Sequence, residues 1–154
     1  MRLHTSHVKA IAAITDGVTM CGGVGISMPA KYLIATENTA YARAETGIGL
    51  FPDVGGGWYL PRKPGQVGMW LALTGARLKA ADCLAAGIAT HFVESTALDS
   101  VRVQVVTAAG AKNADAALAK MLGELHEDTG APKELTPENR ARIDRIFALD
   151  SVEA

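Results

Sequence analysis

Glu45 and Asp53 bracket the run Glu45-Thr46-Gly47-Ile48-Gly49-Leu50-Phe51-Pro52-Asp53-Val54-Gly55-Gly56-Gly57. Two carboxylates separated by apolar and glycine residues are suited to a poorly hydrated, loop-built pocket, where their proton affinities can be pushed apart for acid/base work. The three glycines after Asp53 remove side chains where backbone must turn tightly or approach a neighbour, which favours a loop of fixed shape. The same spacing also fits an ordinary surface turn with two solvated acids, and at this level both readings stand.

The elements that must hold these residues follow from the pattern along the chain. Residues 8–15, with Ile11 and Ile14 among alanines, predict a short buried strand. Asp16-Gly17 breaks it, and Gly22-Gly23-Val24-Gly25-Ile26-Ser27-Met28 predicts a glycine-opened helix whose first N–H groups lack partners. Residues 32–36 and 39–42, joined through Glu37-Asn38, read as two further strands. Beyond the carboxylate loop, residues 67–73 and 79–86 read as helices ended by Gly75 and Gly87, and residues 88–93 can form one more strand. After that the chain reads as helical. Leu118, Met121, Leu122 and Leu125 recur at helical spacing after a capping Asn113, and Thr136-Pro137-Glu138 opens a last helix after a linker over residues 127–135. The expected class is α/β, with a mixed core over 1–94 and a helical region over 95–154.

Composition narrows the partners. At 154 residues, 49% hydrophobic and 20% charged, the chain is the size of one globular domain. A formal net charge of -1 gives no electrostatic reason to expect nucleic acid or an anionic membrane. Cys21 and Cys83 have no CxxC spacing, and His4, His7, His91 and His126 form no ligand pattern, so no metal site is expected and both thiols are expected free. The start Met1-Arg2-Leu3-His4-Thr5-Ser6-His7 is polar and no apolar run is long enough to cross a bilayer. The expectation is a soluble, cytoplasmic protein.

Residues 17–25 invite a nucleotide-loop reading, but a phosphate loop needs Lys where Gly23 stands, and a dinucleotide fingerprint begun at Gly23 needs Gly where Met28 stands. A nucleophile elbow around Ser27 fails because Pro29 takes the place of its second glycine. What remains is a glycine turn presenting N–H groups, with Gly22 as the natural donor and two carboxylates downstream. That pairing suits a reaction in which negative charge builds on a carbonyl oxygen.

Asp16-Gly17-Val18-Thr19-Met20-Cys21-Gly22-Gly23-Val24-Gly25, the Glu45 to Gly57 run and Leu73-Thr74-Gly75-Ala76-Arg77-Leu78 together resemble the crotonase superfamily, and within it the 3-hydroxyisobutyryl-CoA hydrolase branch. The resemblance covers most of residues 8–93 and continues weakly to Ile143-Asp144-Arg145-Ile146-Phe147. It implies a partial β-β-α spiral followed by helices, and acyl-CoA thioesters as substrates, in the branch's case within valine breakdown. Coenzyme A is then part of the substrate and no cofactor is implied. By position, Gly22 matches an oxyanion glycine, Glu45 a catalytic glutamate and Asp53 the hydrolase branch's aspartate, with Met20, Gly23 and Leu50 beside the substrate.

The resemblance leaves Glu45 and Asp53 to activate water or the acyl carbonyl, and Glu45 attack through an anhydride stays open. Enoyl-CoA hydratases usually carry a further glutamate where Gly25 stands, so hydration is the lesser alternative. Family members also possess a substantial segment before residue 8, with the other oxyanion N–H and much of the CoA groove. The sequence is therefore expected to be cut short at its start, and its uncapped end at Val152-Glu153-Ala154 suggests the same there. Activity of the chain alone stays open, and a non-catalytic form that survives by assembly, with itself or a longer relative, is the third alternative. Two local departures stand out: Cys21 replaces the first of three glycines, and Ala44 a common proline.

Overall fold

The computed structural model describes residues 10–151. Two three-stranded sheets share the strands alternately. Strand β1 (Ala12–Thr15) passes through the turn at Gly17 into β2 (Val18–Met20), and helix α1 (Gly22–Ser27) leads back to β3 (Tyr32–Ala35), which turns into β4 (Ala40–Ala42). β1 pairs in parallel with β3, and β2 in parallel with β4. Each β-β-α turn thus contributes its first strand to one sheet and its second to the other, which is the expected spiral. Strand β5 (Arg77–Leu78) closes the second sheet antiparallel to β4, and β6 (His91–Phe92) closes the first, parallel to β3.

The corner between the sheets is held by side chains. Thr36 Oγ1 and Asn38 Nδ2 both donate to Asp16 Oδ1, at 2.7 and 3.0 Å, and Thr39 Oγ1 donates to the Thr15 carbonyl at 2.6 Å. These bonds satisfy backbone and hydroxyl groups at a buried chain reversal, where unpaired ones would be costly. They also explain why Thr36 and Thr39, expected inside strands, stand outside them.

Strand β3 is buried on both faces and its alternation feeds two cores. Leu33 and Ala35 face a cluster with Val24, Tyr41, Leu60, Val67, Leu71, Leu78 and Phe92, while Tyr32 and Ile34 face Val93, Leu98, Val101, Leu118 and Leu122. Each fully buried aliphatic side chain contributes about 1.5–3 kcal/mol of transfer free energy. The second cluster draws its helical side from α5 (Leu98–Ala109) and α6 (Ala114–Leu125), so these helices cover the outer face of the first sheet.

The other cluster is filled by α2 (Gly56–Tyr59), α3 (Val67–Thr74) and α4 (Ala80–Ala85), which supply Tyr59, Val67, Leu71, Ala80 and Cys83. Gly75 terminates α3 in the left-handed region with φ 63°, as its sequence position predicted. Asn113 accepts from Ala116 N–H and Thr136 from Asn139 N–H, capping α6 and α7 (Pro137–Ile146) as expected. The buried Asp82 accepts from Glu134 N–H and Leu135 N–H, both at 2.9 Å, and so ties the linker before α7 to α4.

The first strand is shorter than expected: it begins at Ala12, and residues 8 and 9 of the expected strand lie outside the described residues. β1 is an edge strand with β3 as its partner, and its first three residues are only half-buried. The strand over 88–93 shrinks to His91–Phe92, and the very short β2 and β5 have no counterpart among the expected strands.

Candidate functional site

Glu45 lies in a 3-10 turn (Ala44–Ile48) directly after β4, and Asp53 lies in the loop that follows, before α2. The two acids are in different surroundings. Glu45 is 1% exposed, whereas the Asp53 side chain is 41% exposed. The expectation of two carboxylates in one poorly hydrated pocket is therefore met by Glu45 and not by Asp53. The cause is local backbone: Gly49 and Gly55 are left-handed and Val54 has φ 37°, so the loop swings outward around Pro52 and turns the Asp53 carboxylate toward solvent.

What joins the acids is Arg43, a residue sequence reasoning passed over. Its side chain is fully buried at the end of β4. Arg43 Nη2 lies 2.7 Å from Glu45 Oε1, donates to the Asp53 carbonyl at 2.8 Å, and stands 3.5 Å from Asp53 Oδ1. Nη1 donates to the Cys21 carbonyl at 3.3 Å. One guanidinium fork therefore touches the glycine turn and both acids, which suits its planar five-donor geometry. The Glu45 contact is close but out of hydrogen-bond alignment, since neither carboxylate oxygen finds an aligned donor, so it is Coulombic in character. Gly56 is required beside this fork: a Cβ there would sit 2.8 Å from Pro52 Cβ and 3.1 Å from Arg43 Nη2.

Tyr59 lies under the guanidinium, with its ring centroid 5.8 Å from Arg43 Cζ. Burial pushes its phenol up to about 12, and burial also raises Tyr41, so both stay neutral hydroxyls. Among the described residues, the hydroxyls of Tyr41 and Tyr59 and Nε of Arg43 are buried without aligned partners.

On the other side, Met20 ends β2, Cys21 makes the turn and Gly22 and Gly23 open α1, both exposed and with nothing within 4 Å of a Cβ position. Cys21 adopts φ 47° and ψ -115°, a conformation costly for any side chain, which accounts for glycine being usual there. Gly25 is covered: a Cβ would lie 2.5 Å from Val54 Cβ and 2.9 Å from the Val54 carbonyl oxygen. Leu50 is 41% exposed on the rim, and its N–H donates to the Glu45 carbonyl at 3.0 Å. A cavity of about 450 Å³ opens along the same loop, lined by Phe51, Pro52, Gly57, Leu60 and Met69.

The structure thus brings the Cys21 end of the glycine turn to Glu45 and Asp53 through the Arg43 fork and the Gly25–Val54 contact, with Met20, Gly22 and Gly23 beside Cys21 in the chain and Leu50 in the loop between the acids. Both cysteines are free, as expected, Cys21 exposed and Cys83 buried. Among the described residues no group of three His, Cys, Asp or Glu side chains is placed to hold a metal ion, and no helix is long and apolar enough to cross a membrane. His4 and His7 lie outside the described residues.

Known proteins bear on the same residues. The chain is 43% identical over 152 residues to the mitochondrial 3-hydroxyisobutyryl-CoA hydrolase of Xenopus tropicalis, covering 97% of this chain and 39% of that protein. It is 40% identical over 158 residues to the small ribosomal subunit protein mS47 of Neurospora crassa, covering 98% of this chain and 31% of that one. Its backbone superposes on a carnitinyl-CoA dehydratase from Mycobacterium thermoresistibile with a TM-score of 0.78 at 34% identity, covering 98% of this chain and 42% of the other. The chain therefore spans about two fifths or less of the length of these relatives. The cytoplasmic expectation is corrected by these matches, because the hydrolase relatives are mitochondrial by name. A model of the enoyl-CoA hydratase/isomerase family matches residues 1–154, and with the two-sheet spiral already described, this chain belongs to that family.

Proposed function

We propose that this chain carries part of the catalytic centre of a CoA-thioester hydrolase acting on a 3-hydroxyacyl-CoA of the 3-hydroxyisobutyryl type. The observation that carries the reading is the convergence of the Cys21–Gly22 turn and the acids on one guanidinium. Identity to the hydrolase relatives supports the substrate class, and with it the valine-breakdown context that the sequence resemblance implied.

In this reading Asp53 is the carboxylate that meets the substrate, because it is the one open to solvent. It takes a proton from a water whose oxygen attacks the thioester carbon. The Gly22 N–H supports the negative charge that moves to the carbonyl oxygen. When that charge returns, the carbon–sulfur bond breaks, and the departing thiolate takes the proton back from Asp53 as CoA leaves. Sealed burial of Glu45 beside Arg43 speaks against its attacking the acyl carbon, and leaves it to hold the loop. No cofactor enters, since coenzyme A belongs to the substrate.

Hydration of a double bond is disfavoured because Val54 fills the space at Gly25, where a second carboxylate would have to project. Assembly without catalysis is the second reading, supported by the likeness to a ribosomal protein and by exposed Phe51, Trp58, Met69 and Leu73. Self-association through that apolar face is its simplest form.

Thiol release from 3-hydroxyisobutyryl-CoA, followed with a chromogenic disulfide, tests the reading. The Asp53→Asn variant is expected to lose about 10²–10⁴ in rate, the scale of a removed general base. A rate that survives Asp53→Asn removes Asp53 from the chemistry. No release by the unaltered chain, together with a defined oligomer by light scattering, selects assembly instead.

A further inference from the structure

Arg43 stands out because neither the sequence motifs nor the resemblance assigned it anything, yet every element of the candidate site meets its guanidinium. A buried arginine is ordinarily retained only where several acceptors satisfy it. Here those acceptors come from three separate segments: the Cys21 carbonyl in the glycine turn, the Glu45 carboxylate in the 3-10 turn, and the carbonyl and carboxylate of Asp53 in the outer loop. Cys21 and Gly25 are bound to one another through the Cys21 carbonyl at 3.1 Å, and Asp53 and Gly56 through the Asp53 carbonyl at 2.7 Å. Arg43 therefore adds a second bond to carbonyls already used as helix-opening acceptors. Such a bond does little for satisfaction and much for the spacing between the two openings.

We propose that Arg43 is the positioning residue of this site, setting the distance between the Gly22 N–H and the Asp53 carboxylate and fixing the Glu45 side chain beside them. Two features show that the fork's shape matters as well as its charge. Its nitrogens divide the work, Nη1 to the glycine turn and Nη2 to the acids, so a single-headed cation cannot reach both. And the turn it grips carries Cys21 in a left-handed conformation that costs a side-chain-bearing residue energy to keep. The clamp holds that turn beside the loop that carries Asp53. The proposal rests on the thioester reading for the identity of the substrate, and on geometry alone for the clamp.

Cys21 is a built-in reporter of the clamp, because it is exposed while Cys83, the chain's other cysteine, is buried. The alkylation rate of Cys21 is measured with iodoacetamide in the full chain, in Arg43→Met and in Arg43→Lys, alongside thermal melting and thiol release from 3-hydroxyisobutyryl-CoA. Lysine keeps a positive charge beside Glu45 and loses the fork, so Arg43→Lys is the variant that decides if Arg43→Met unfolds. The expected result is that Arg43→Lys melts near the unaltered chain, yet alkylates about tenfold faster, as loss of one hydrogen bond from a charged donor implies. Its kcat is expected to fall by a similar factor with KM unchanged.

A clamp of purely structural value predicts that lysine restores the alkylation rate together with melting, and that outcome overturns the proposal. Faster alkylation in a chain that releases no thiol upholds the clamp and discards the thioester reading. Unchanged alkylation with hydrolysis intact does the reverse.

Discussion

The buried pair Arg43–Glu45 makes a quantitative prediction about folding that is independent of any substrate. Arg43 is fully buried, Glu45 is 1% exposed, and Nη2 lies 2.7 Å from Oε1. Removing one partner of such a pair strands a charge in the interior and costs about 3–5 kcal/mol. Because the Glu45 oxygens lack aligned donors, Arg43→Met is expected at the lower end, about 3 kcal/mol. For a chain of this length each kcal/mol shifts melting by about 2–4 °C, so Tm should drop by roughly 6–12 °C. The double variant Arg43→Met with Glu45→Met behaves differently, since no charge is left behind and the Cys21 and Asp53 carbonyls keep Gly25 N–H and Gly56 N–H as donors. With Arg43→Met and Glu45→Met each at about 3 kcal/mol, the double variant should lie within about 1.5 kcal/mol of the unaltered chain, giving a coupling of about 4.5 kcal/mol or more between the two positions. Urea melts followed by circular dichroism, at equal m-values, measure all three. If the double variant loses the sum of the two singles, the charges do not stabilise one another and the description of the site as a buried ion pair is wrong.

Three further outcomes follow from other parts of the molecule. Cys21→Gly should stabilise the chain by about 1 kcal/mol, since relief of left-handed strain, about 1–3 kcal/mol, exceeds the added freedom of the unfolded glycine; an unchanged or lower urea midpoint contradicts the strain at φ 47°. Asp82→Ala should cost about 2–4 kcal/mol, because two buried or half-buried N–H groups at Glu134 and Leu135 lose their acceptor, and amide exchange should quicken first along residues 133–146; uniform quickening throughout would refute the anchoring role. The His91 imidazole is pushed below its usual value of 6.5, first by burial and then by the neighbouring His126. The folded state thus binds this proton less readily than the unfolded one, so its effect on stability is absent above the unfolded value and becomes a loss as pH falls from about 6.5 through the folded value. Tm of His91→Gln relative to the unaltered chain should therefore rise between pH 7 and pH 5, and a difference independent of pH sinks that account.

Features set by local chemistry were legible in the sequence. Gly75 ends α3, Asn113 and Thr136 cap α6 and α7, and the glycine turn opens α1, because each depends on residues within one helical turn. The pairing of Gly22 with the distant acids was legible only through resemblance to a family, since spacing gives no measure of through-space distance. β2 and β5 were illegible because two or three residues carry no periodicity, and their existence depends on β4 lying between them. Asp53 was placed in a dry pocket by its apolar neighbours, whereas the positive φ of Val54 and Gly55 decided its exposure. Arg43 was passed over because arginine is read as surface. The available signal was its setting, a lone cation in the apolar run Tyr41-Ala42-Arg43-Ala44, two residues before an acid.

That setting bears on the chemistry more than either acid does alone. Hydration of a double bond calls on two free carboxylates, whereas hydrolysis by general base needs one carboxylate, a water and a support for the oxyanion. Here Val54 closes the position of the second carboxylate at Gly25. Arg43 then neutralises Glu45 and leaves Asp53 alone exposed. In the thioester reading, a guanidinium beside the acids would also lower the cost of bringing a tetrahedral oxyanion near them, since its charge offsets one of them in a medium where Coulomb terms are strong. Thus a cation at 43 and a closed position at 25 act in the same direction, and both oppose the two-base arrangement. Opening one without the other, as in Val54→Gly with Gly25→Glu on an intact Arg43, should therefore fail to create hydratase activity toward crotonyl-CoA. Water addition by that variant would show that Glu45 is free despite its pairing.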